Sequence, residues 1–309
     1  MPRVLLTGAN GFIGRNLLPF LITSGVDVRA AVRHPLQETY VDTVLIDDLS
    51  ATTDWAESVH DVGVVVHLAA RAHRSSYYQE IERADYKRIN VDGAVSLGYA
   101  AAEAGVRHFI FVSTIGVNGR HTDDRDPFSE EDTPNPDGVY AETKALAEER
   151  LTEISAASGM GLTIIRPVVV YGPNVKANVH RLAEAVRRGL PLPLAQIRNR
   201  RAVLASDNLN SFILHRISAA PKGVEKFLLA DDEQVSTPEF VRRIGRAVQR
   251  DPLLIPFPPQ LLRRALSAVG RKSMAESLIS SLEVSTARAQ QTGWRPIMTM
   301  QEALNKAFK

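Results

Sequence analysis

Cysteine is absent from the 309 residues of this chain. Its absence excludes disulfides, thiolate nucleophiles and cysteine-ligated metal centres. Long apolar runs are also missing, and no stretch approaches the ~20 apolar residues that a membrane-spanning helix needs. The opening residues, MPRVLLTG, have no charged, apolar and cleavage regions of the kind that make a secretory signal. We therefore expect a cytoplasmic protein without a transmembrane segment.

An excess of one charge is lacking too, since 37 Lys and Arg residues face 35 Asp and Glu residues, for a net charge of +2. The basic residues are dispersed among acids, which argues against a nucleic-acid partner. The eight His residues show no metal-ligand spacing: His67 and His73 are six apart, and no HExxH pattern occurs. We expect no metal site.

Short apolar runs alternate with helical stretches over the first half of the chain. The strand candidates are residues 4–6, 26–32, 43–46, 62–68, 108–113 and 162–166. Helical periodicity predicts long helices over residues 85–104 and 139–158. This alternation predicts an α/β fold, a Rossmann-type doubly wound parallel sheet.

The rhythm changes after Pro167, where short helices and a Pro-punctuated loop at 189–201 begin. We expect a dinucleotide-binding domain over residues 1–167, with a further strand and helix from about 202–230. A smaller, partly interleaved C-terminal substrate domain would take residues 168–201 and 231–309. Within it, the basic and apolar segment 259–272 has two interpretations: packing onto that domain, which we favour, or contact with a membrane surface.

A glycine-rich turn, TGANGFIG, joins the first strand to the first helix. Gly8, Gly11 and Gly14 allow a tight turn and let the backbone approach a pyrophosphate, whose charge suits the helix N-terminus. The position between a strand and a helix predicts a dinucleotide site. The rest of the turn, Asn10, Phe12 and Ile13, is included in that site.

The second strand ends at Val32 and Arg33, where a fold that prefers NAD usually has an acidic residue for the ribose hydroxyls. Arg33 offers a cation to a 2′-phosphate instead, which favours NADP over NAD; a solvated arginine is the alternative. Further on, Asp48 and Leu49 could hold the adenine edge, or Asp48 could be a solvated loop acid.

Tyr140 is the one tyrosine with a Lys four residues later, at Lys144. Residues at i and i+4 share a helix face, so the ammonium could lower the pKa of the phenol and allow proton exchange with a substrate oxygen. Upstream, a strand ends in Ser113 and Thr114, at the sheet edge where α/β folds bind ligands. A hydroxyl there could hydrogen-bond the reacting oxygen while a nicotinamide exchanges the hydride.

Together these motifs resemble the extended short-chain dehydrogenase/reductase family, in the branch of nucleotide-sugar epimerases and reductases related to UDP-glucose 4-epimerases. The residues that carry the resemblance are TGANGFIG at 7–14, VVHLAA at 65–70, RINVDG around Asn90, VST at 112–114, YAETK at 140–144, RPVVVYGP at 166–173 and GWRP at 293–296. It implies a nicotinamide cofactor, a nucleotide sugar that is UDP-linked, and a homodimer formed by the two long helices.

The resemblance also implies roles for individual residues. Thr114, Tyr140 and Lys144 would be catalytic, and Thr114, Asn178 and Arg201 would bind substrate. The cofactor would contact the turn residues and Arg33, Asp48 and Leu49 named above. It would also contact Leu68, Ala69, Ala70, Asn90, Tyr140, Lys144 and Pro167. Arg198 and Arg200 precede Arg201 in a basic loop that could bind a pyrophosphate or be merely solvated.

The reaction class depends on the neighbours of these residues. The family's 4,6-dehydratases carry an Asp-Glu pair after the strand-end Thr, whereas Ile115 and Gly116 follow Thr114 here, so dehydration is disfavoured. We favour NAD(P)H-dependent reduction of a 4-keto sugar nucleotide, with a UDP-sugar 4-epimerase holding NAD tightly as the alternative. A non-catalytic dinucleotide sensor and a reductase of small hydrophobic carbonyls or steroids stay open.

Overall fold

A seven-stranded sheet forms the centre of the computed structural model, which describes residues 2–36, 40–72, 79–175, 177–219 and 221–309. Its strands are β1 (Val4–Thr7), β2 (Val28–Val32), β3 (Asp42–Leu45), β4 (Val64–His67), β5 (His108–Val112), β6 (Gly161–Pro167) and β9 (Val224–Leu229). They lie in the order β3-β2-β1-β4-β5-β6-β9, and the pairs from β3 to β6 are parallel. The predicted α/β doubly wound fold is confirmed.

Helices connect these strands. They are α1 (Phe12–Thr23), α2 (Ala56–Val59), α3 (Gln79–Lys87), α4 (Gly93–Glu103) and α5 (Val139–Ser158). The central strands of this sheet are buried on both faces, since β4 and β5 expose no residue appreciably, as expected where helices cover a parallel sheet. The edge strand β3 exposes Asp42 and Leu45.

The chain order reverses on either side of β1, which pairs with both β2 and β4. In an open α/β sheet such a switch point leaves a crevice at the carboxyl ends of the strands, where ligands bind. Here those ends lead into the glycine-rich turn after Thr7 and the segment after His67.

The predicted helix over 85–104 is divided by one π-helical turn, Arg88–Asp92, between α3 and α4. A π turn inserts one residue into the helical ladder and is frequent at functional sites. Asn90 lies in this turn with its side chain fully buried.

The chain forms two compact units. Unit 1 comprises residues 1–119, 133–167 and 210–227, and unit 2 comprises 120–132, 168–209 and 228–309. These bounds differ from the expected domains at 120–132, 202–209 and 228–230. Residues 122 and 128 donate backbone hydrogen bonds to 281 and 283, and β8 pairs with β7 in a separate two-stranded sheet, so the first two segments pair within unit 2.

Unit 2 is mainly helical. Besides β7 (Val169–Tyr171) and β8 (Val203–Ala205), the C-terminal half of the chain forms α6 (Ala177–Arg187), α7 (Ser206–Ile217), α8 (Thr237–Ala247), α9 (Pro259–Ala268), α10 (Lys272–Ile279), α11 (Ala287–Gln291) and α12 (Met300–Phe308); α7 continues from unit 2 into unit 1. Helix α8 begins where Ser236 accepts a hydrogen bond from the Glu239 backbone, with Pro238 in the first turn. No helix within the described ranges is long and apolar enough to cross a membrane.

Candidate functional site

The turn between β1 and α1 requires glycine at two positions. Gly8 has a φ of +75°, and a Cβ there would lie 2.7 Å from the backbone nitrogen of Ala69. At Gly14 a Cβ would lie 2.2 Å from the carbonyl oxygen of Gly8. The first glycine therefore lets the turn approach the segment after β4, and the second lets α1 pack against the turn.

Gly11 is the N-cap of α1 and supplies no side-chain hydrogen bond to the helix. Its backbone N–H donates to the Gly8 carbonyl at 2.9 Å, which closes the turn. The first-turn N–H groups of α1, together with the positive end of the helix dipole, are suited to an anionic group such as a pyrophosphate.

A pocket of about 490 Å³ lies over this turn, entirely within unit 1. Nine predicted cofactor residues line it: Gly8, Asn10, Gly11, Arg33, Asp48, Leu49, Leu68, Ala69 and Ala70. Phe12, Ile13, Gly14, Asn90, Pro167, Tyr140 and Lys144 are not among its lining residues. The position of this pocket at the switch point, the turn that only glycine permits, and the polar residues Arg33 and Asp48 in its wall fit a dinucleotide.

Several residues of the pocket wall were not predicted. They are Thr7, Ala9, Ala31, Val32, His34, Ile46, Arg71, Ala72 and Ile89. Thr7, Ala9, Ala31 and Val32 adjoin predicted residues in the chain, so extending each motif by a residue or two would have found them. Arg71, Ala72 and Ile89 likewise lie within two residues of the predicted positions Ala70 and Asn90.

Charged residues surround the end of the pocket formed by β2 and β3. Asp48 lies 2.5 Å from a guanidinium nitrogen of Arg88 and 3.4 Å from one of Arg33. Burial alone would raise the pKa of Asp48, but hydrogen bonds from Arg88 and from the Leu49 N–H, with the charges of both arginines, hold it below its usual value. Asp48 is thus a paired carboxylate at neutral pH, and Arg33 has an anion beside it.

Lys144 lies on α5 and is only 1% exposed. Its Nζ is 3.7 Å from the centroid of the Phe111 ring on β5, a cation–π contact. Burial lowers the pKa of Lys144 to about 7, and the charge of Glu148, one turn further along α5, opposes that shift. The side chain can therefore gain or lose its charge near neutral pH.

Tyr140 is partly buried at the start of α5. Its ring lies 6.5 Å from that of Tyr86, edge to face. Burial and the neighbouring Tyr86 phenol raise the pKa of Tyr140 to about 12. The sequence predicted a lowered pKa; in the protein alone burial and the Tyr86 phenol raise it instead, so Tyr140 holds its proton at neutral pH and can donate it.

Thr114 follows β5 and caps a short 3-10 helix, Ile115–Val117, by accepting a hydrogen bond from the Gly116 N–H at 3.2 Å. Its side chain stays partly exposed. Ile115 is buried and Gly116 has no side chain, so neither position that carries a dehydratase carboxylate offers an acid here.

A buried charge pair lies behind these residues and was not predicted. Arg166, at the end of β6, contacts Glu148 of α5 through two nitrogens, at 3.0 Å (Nε–Oε1) and 2.5 Å (Nη2–Oε2). The Ser113 hydroxyl donates to Glu148 at 2.5 Å, and Arg166 also donates to Asn118 at 2.8 Å. The cluster joins α5 to the ends of β5 and β6, which carry Lys144, Thr114 and Pro167. Ser113 is thereby engaged and not available to substrate.

Asn90 connects the pocket wall to the catalytic helix. Its Oδ1 accepts from the Arg71 backbone N–H at 2.8 Å, and its Nδ2 donates to the Thr143 hydroxyl at 3.1 Å. That hydroxyl in turn donates to the Tyr140 carbonyl at 2.9 Å. The amide holds both segments without entering the pocket.

Two of the three expected substrate residues, Asn178 and Arg201, lie in unit 2, whereas Thr114 lies in unit 1. Asn178 is exposed in the first turn of α6. Arg201 donates to the Ser280 carbonyl at 3.2 Å, and burial lowers the pKa of its guanidinium to about 10, which leaves it charged at neutral pH. Arg200 is directed elsewhere, to Glu283 at 2.5 Å, so the basic loop does not act as one cluster.

Comparison with known proteins agrees with this geometry. The model of the NAD-dependent epimerase/dehydratase family matches residues 4–225. The chain is 35% identical to a UDP-glucose 4-epimerase of Vibrio cholerae over 310 aligned positions, which cover 99% of this chain and 94% of the relative. Its structure is similar to that of MoeE5 in complex with UDP-glucuronic acid and NAD, at 25% identity and a TM-score of 0.78, over 99% and 97% of the two chains. A UDP-N-acetylglucosamine 4-epimerase from Bacillus cereus shares the fold, at 19% identity and a TM-score of 0.78, over 99% and 94%.

The predicted resemblance is therefore confirmed: a glycine turn, a pocket at the switch point, a Tyr-Lys helix and the sequence match agree, and the chain belongs to the NAD-dependent epimerase/dehydratase family.

Proposed function

We propose that this protein is a nucleotide-sugar 4-epimerase that acts on a UDP-linked sugar and uses NAD. The observation that carries the proposal is the full-length likeness to the UDP-glucose 4-epimerase of Vibrio cholerae, in a chain whose Tyr140 and Lys144 lie one turn apart beside a dinucleotide pocket. This favours epimerisation over the reduction of a 4-keto sugar that the sequence alone favoured.

In this proposal Tyr140 moves the proton of the sugar C4 hydroxyl. NAD, when bound, supplies the hydride acceptor and donor. Tyr140 takes the hydroxyl proton during oxidation and returns a proton to the keto oxygen, and Thr114 hydrogen-bonds the same oxygen. Because the pKa of Tyr140 is about 12 in the protein alone, a positive charge has to approach before it can act as a base.

Lys144 can provide part of that charge. With a pKa of about 7, it is poised to become an ammonium when a hydrogen-bonding partner such as a ribose hydroxyl, or an anion, arrives. A charged Lys144 one turn from Tyr140 lowers the pKa of the phenol. The charge of Glu148 favours the charged form of Lys144, so the buried Arg166–Glu148 pair influences a residue that acts in the proposed reaction.

The choice of NAD rests on Asp48. Its carboxylate lies 3.4 Å from Arg33 and is already paired with Arg88, so a 2′-phosphate brought to Arg33 would meet a neighbouring anion. NAD brings no such charge and could use Asp48 as a hydrogen-bond acceptor. Arg33 therefore gives little support to NADP over NAD.

Reduction of a 4-keto sugar nucleotide is the second candidate, and one observation favours it. The Arg33 side chain is 57% exposed at the pocket, so it is free to turn from Asp48 towards a 2′-phosphate. Such an enzyme would draw fresh NADPH for each turnover.

Incubation with UDP-galactose or UDP-glucose, without added cofactor, separates the two candidates. We expect the 4-epimers to interconvert, as followed by NMR, and the purified protein to release NAD when denatured. Stoichiometric consumption of NADPH with a 4-keto sugar nucleotide, and no epimer from either UDP-sugar, would favour the reductase.

Tyr140→Phe tests the catalytic assignment and the remaining alternative of a non-catalytic sensor. We expect turnover to fall by about 100-fold or more, as for loss of a general acid-base group, while the affinity for NAD is kept. Tyr40→Phe is the control, because that tyrosine is 70% exposed and does not line the pocket. Unchanged turnover in Tyr140→Phe would overturn the assignment.

The remaining proposals concern the nucleotide, the assembly and the location. Asn178 and Arg201 would hold the nucleoside diphosphate, so Arg201→Met is expected to raise KM for the UDP-sugar more than it lowers kcat. Unit 1 would bind the dinucleotide and unit 2 the substrate. We also propose a cytoplasmic location and a homodimer formed by α4 and α5. Light scattering of the purified protein measures the number of subunits.

A further inference from the structure

A stretch of unit 2 without acidic residues carries a concentrated positive charge. Between Asp251 and Glu276 the chain has no Asp or Glu, while it has four cations, Arg263, Arg264, Arg271 and Lys272. The whole chain has a net charge of only +2. Residues 252–275, called here the cationic segment, therefore produce a local field that the composition does not reveal.

Helix α9, in the middle of this segment, has an inner and an outer side. Leu262 and Leu266 pack into an apolar cluster of unit 2 that contains Val186, Leu194 and Val241. The packing interpretation is thus right for these two leucines, but it accounts for only one side of the helix.

The outer side displays aliphatic residues. Leu261 is 49% exposed, and Val269, just after the helix, is 68% exposed. Leu253 and Ile255, before the helix, are also exposed. The cationic segment thus contributes four of the ten large apolar residues found exposed in the described part of the chain, a density that marks an interaction surface.

The cations of this segment are not neutralised within the described residues. None of the four is in an ion pair there, and Arg263 donates only to the Ser280 hydroxyl, at 3.3 Å. Glu276, the first acid beyond the segment, is engaged by Arg120 at 2.6 Å. Arg150 and Arg187 elsewhere in the protein have acidic neighbours. What distinguishes this group is that its four cations lie in residues 252–275 without a single acidic residue among them.

We propose that the cationic segment docks on the anionic surface of a lipid bilayer. Arginine and lysine bind the headgroup phosphates, while Leu261 and Val269 enter the boundary between headgroups and acyl chains, the usual division of roles in interfacial helices. Nucleic acid fits less well, because the segment exposes aliphatic side chains and its one aromatic residue, Phe257, packs against the apolar cluster of unit 2. This surface lies outside the dinucleotide pocket and does not depend on which reaction the enzyme performs.

The association is reversible and depends on salt. Each cation close to an anionic membrane strengthens binding about five-fold, and the apolar contact is limited to a few side chains. At ionic strengths near 1 M, where charges are screened within about 3 Å, binding is lost.

Flotation of the full chain with vesicles tests the proposal. We expect binding to vesicles of phosphatidylglycerol and phosphatidylcholine at low salt, and none to phosphatidylcholine alone. Arg264→Glu/Lys272→Glu should weaken binding by about 25-fold or more. Leu261→Ser/Val269→Ser should also weaken it while keeping the preference for anionic lipid.

Matched variants give the controls. Lys87→Glu/Lys222→Glu reverses two exposed lysines outside the segment, and Leu45→Ser/Ile297→Ser removes two exposed aliphatic side chains elsewhere; both should bind like the wild type. Equal binding to neutral and anionic vesicles, no binding at low salt, or equal effects of segment and control variants would overturn the proposal. So would self-association abolished by Leu261→Ser/Val269→Ser, because the surface would then bind a second copy.

Discussion

Replacing Glu148 by Gln removes one charge of the buried pair with Arg166 and keeps the shape of the side chain. The two side chains are 5% and 1% exposed, so water cannot solvate the guanidinium that is left behind. Removal of one partner from a buried pair costs about 3–5 kcal/mol. A domain stable by about 5–15 kcal/mol would lose a large part of that free energy.

A second substitution separates the cost of the unpaired charge from the value of the pair. Glu148→Gln/Arg166→Met removes both charges, and Gln still accepts the hydrogen bond from Ser113. Since a buried pair and an apolar replacement of similar volume are often equally stable, most of the lost free energy should return. The double variant should lie within about 2 kcal/mol of the wild type.

Urea denaturation at pH 7, followed by circular dichroism, measures these differences. Glu153→Gln on the same helix is the control, because its pair with Arg150 is about half exposed and worth at most about 1 kcal/mol. The reasoning is refuted if Glu148→Gln is no less stable than Glu153→Gln, or if the double variant is as unstable as the single one.

Three further predictions concern the pocket and buried titratable groups of unit 1. Gly8→Ala should weaken NAD binding by roughly 10-fold, measured by fluorescence titration; Gly25→Ala, at the same φ but with nothing within 4 Å, should not. Burial lowers the pKa of both His67 and His108 to about 3, so as the pH falls the unfolded chain binds protons before the folded protein does. The free energy of unfolding should therefore decrease between pH 6.5 and 3, by at most about 1.4 kcal/mol per pH unit for each histidine. The urea midpoints of His67→Gln and His108→Gln should change less with pH than that of the wild type. Lys144→Met should abolish turnover yet raise stability below pH 7, where the wild type must bury a charged lysine. This gain in the free energy of unfolding is at most about 5 kcal/mol and should disappear between pH 7 and 10.5. A stability difference that does not depend on pH would contradict this prediction.

The parts of the site that were predicted correctly are specified locally. Gly8 and Gly14 lie in one turn between a strand and a helix, and the requirement for glycine follows from that turn. Tyr140 and Lys144 share a helix face because they are four residues apart. Apolar strands that alternate with helices predict the parallel sheet for the same reason, since strands such as β4 and β5 are buried on both faces.

The remaining features depend on contacts between distant segments. Glu148 and Arg166 are 18 residues apart, and in isolation the first resembles a solvated helix residue. Two signals were nonetheless present: Glu148 continues the face of Tyr140 and Lys144 by one more turn, and Arg166 ends an otherwise apolar strand. The partner of Asp48, Arg88, lies 40 residues away on α3's continuation and had no local signal. The raised pKa of Tyr140 in the protein alone was not predicted, because burial cannot be judged from a motif.

The fate of a deuterium at C4 of UDP-galactose tests the central claim most directly. In the proposed reaction the hydrogen leaves C4 and returns to the same carbon within one site, so UDP-glucose formed without added cofactor should keep the deuterium at C4, as seen by NMR and mass spectrometry. Tyr140→Phe should form this product much more slowly. Loss of the deuterium to solvent, or its appearance in free reduced cofactor with no UDP-glucose formed, would contradict the account.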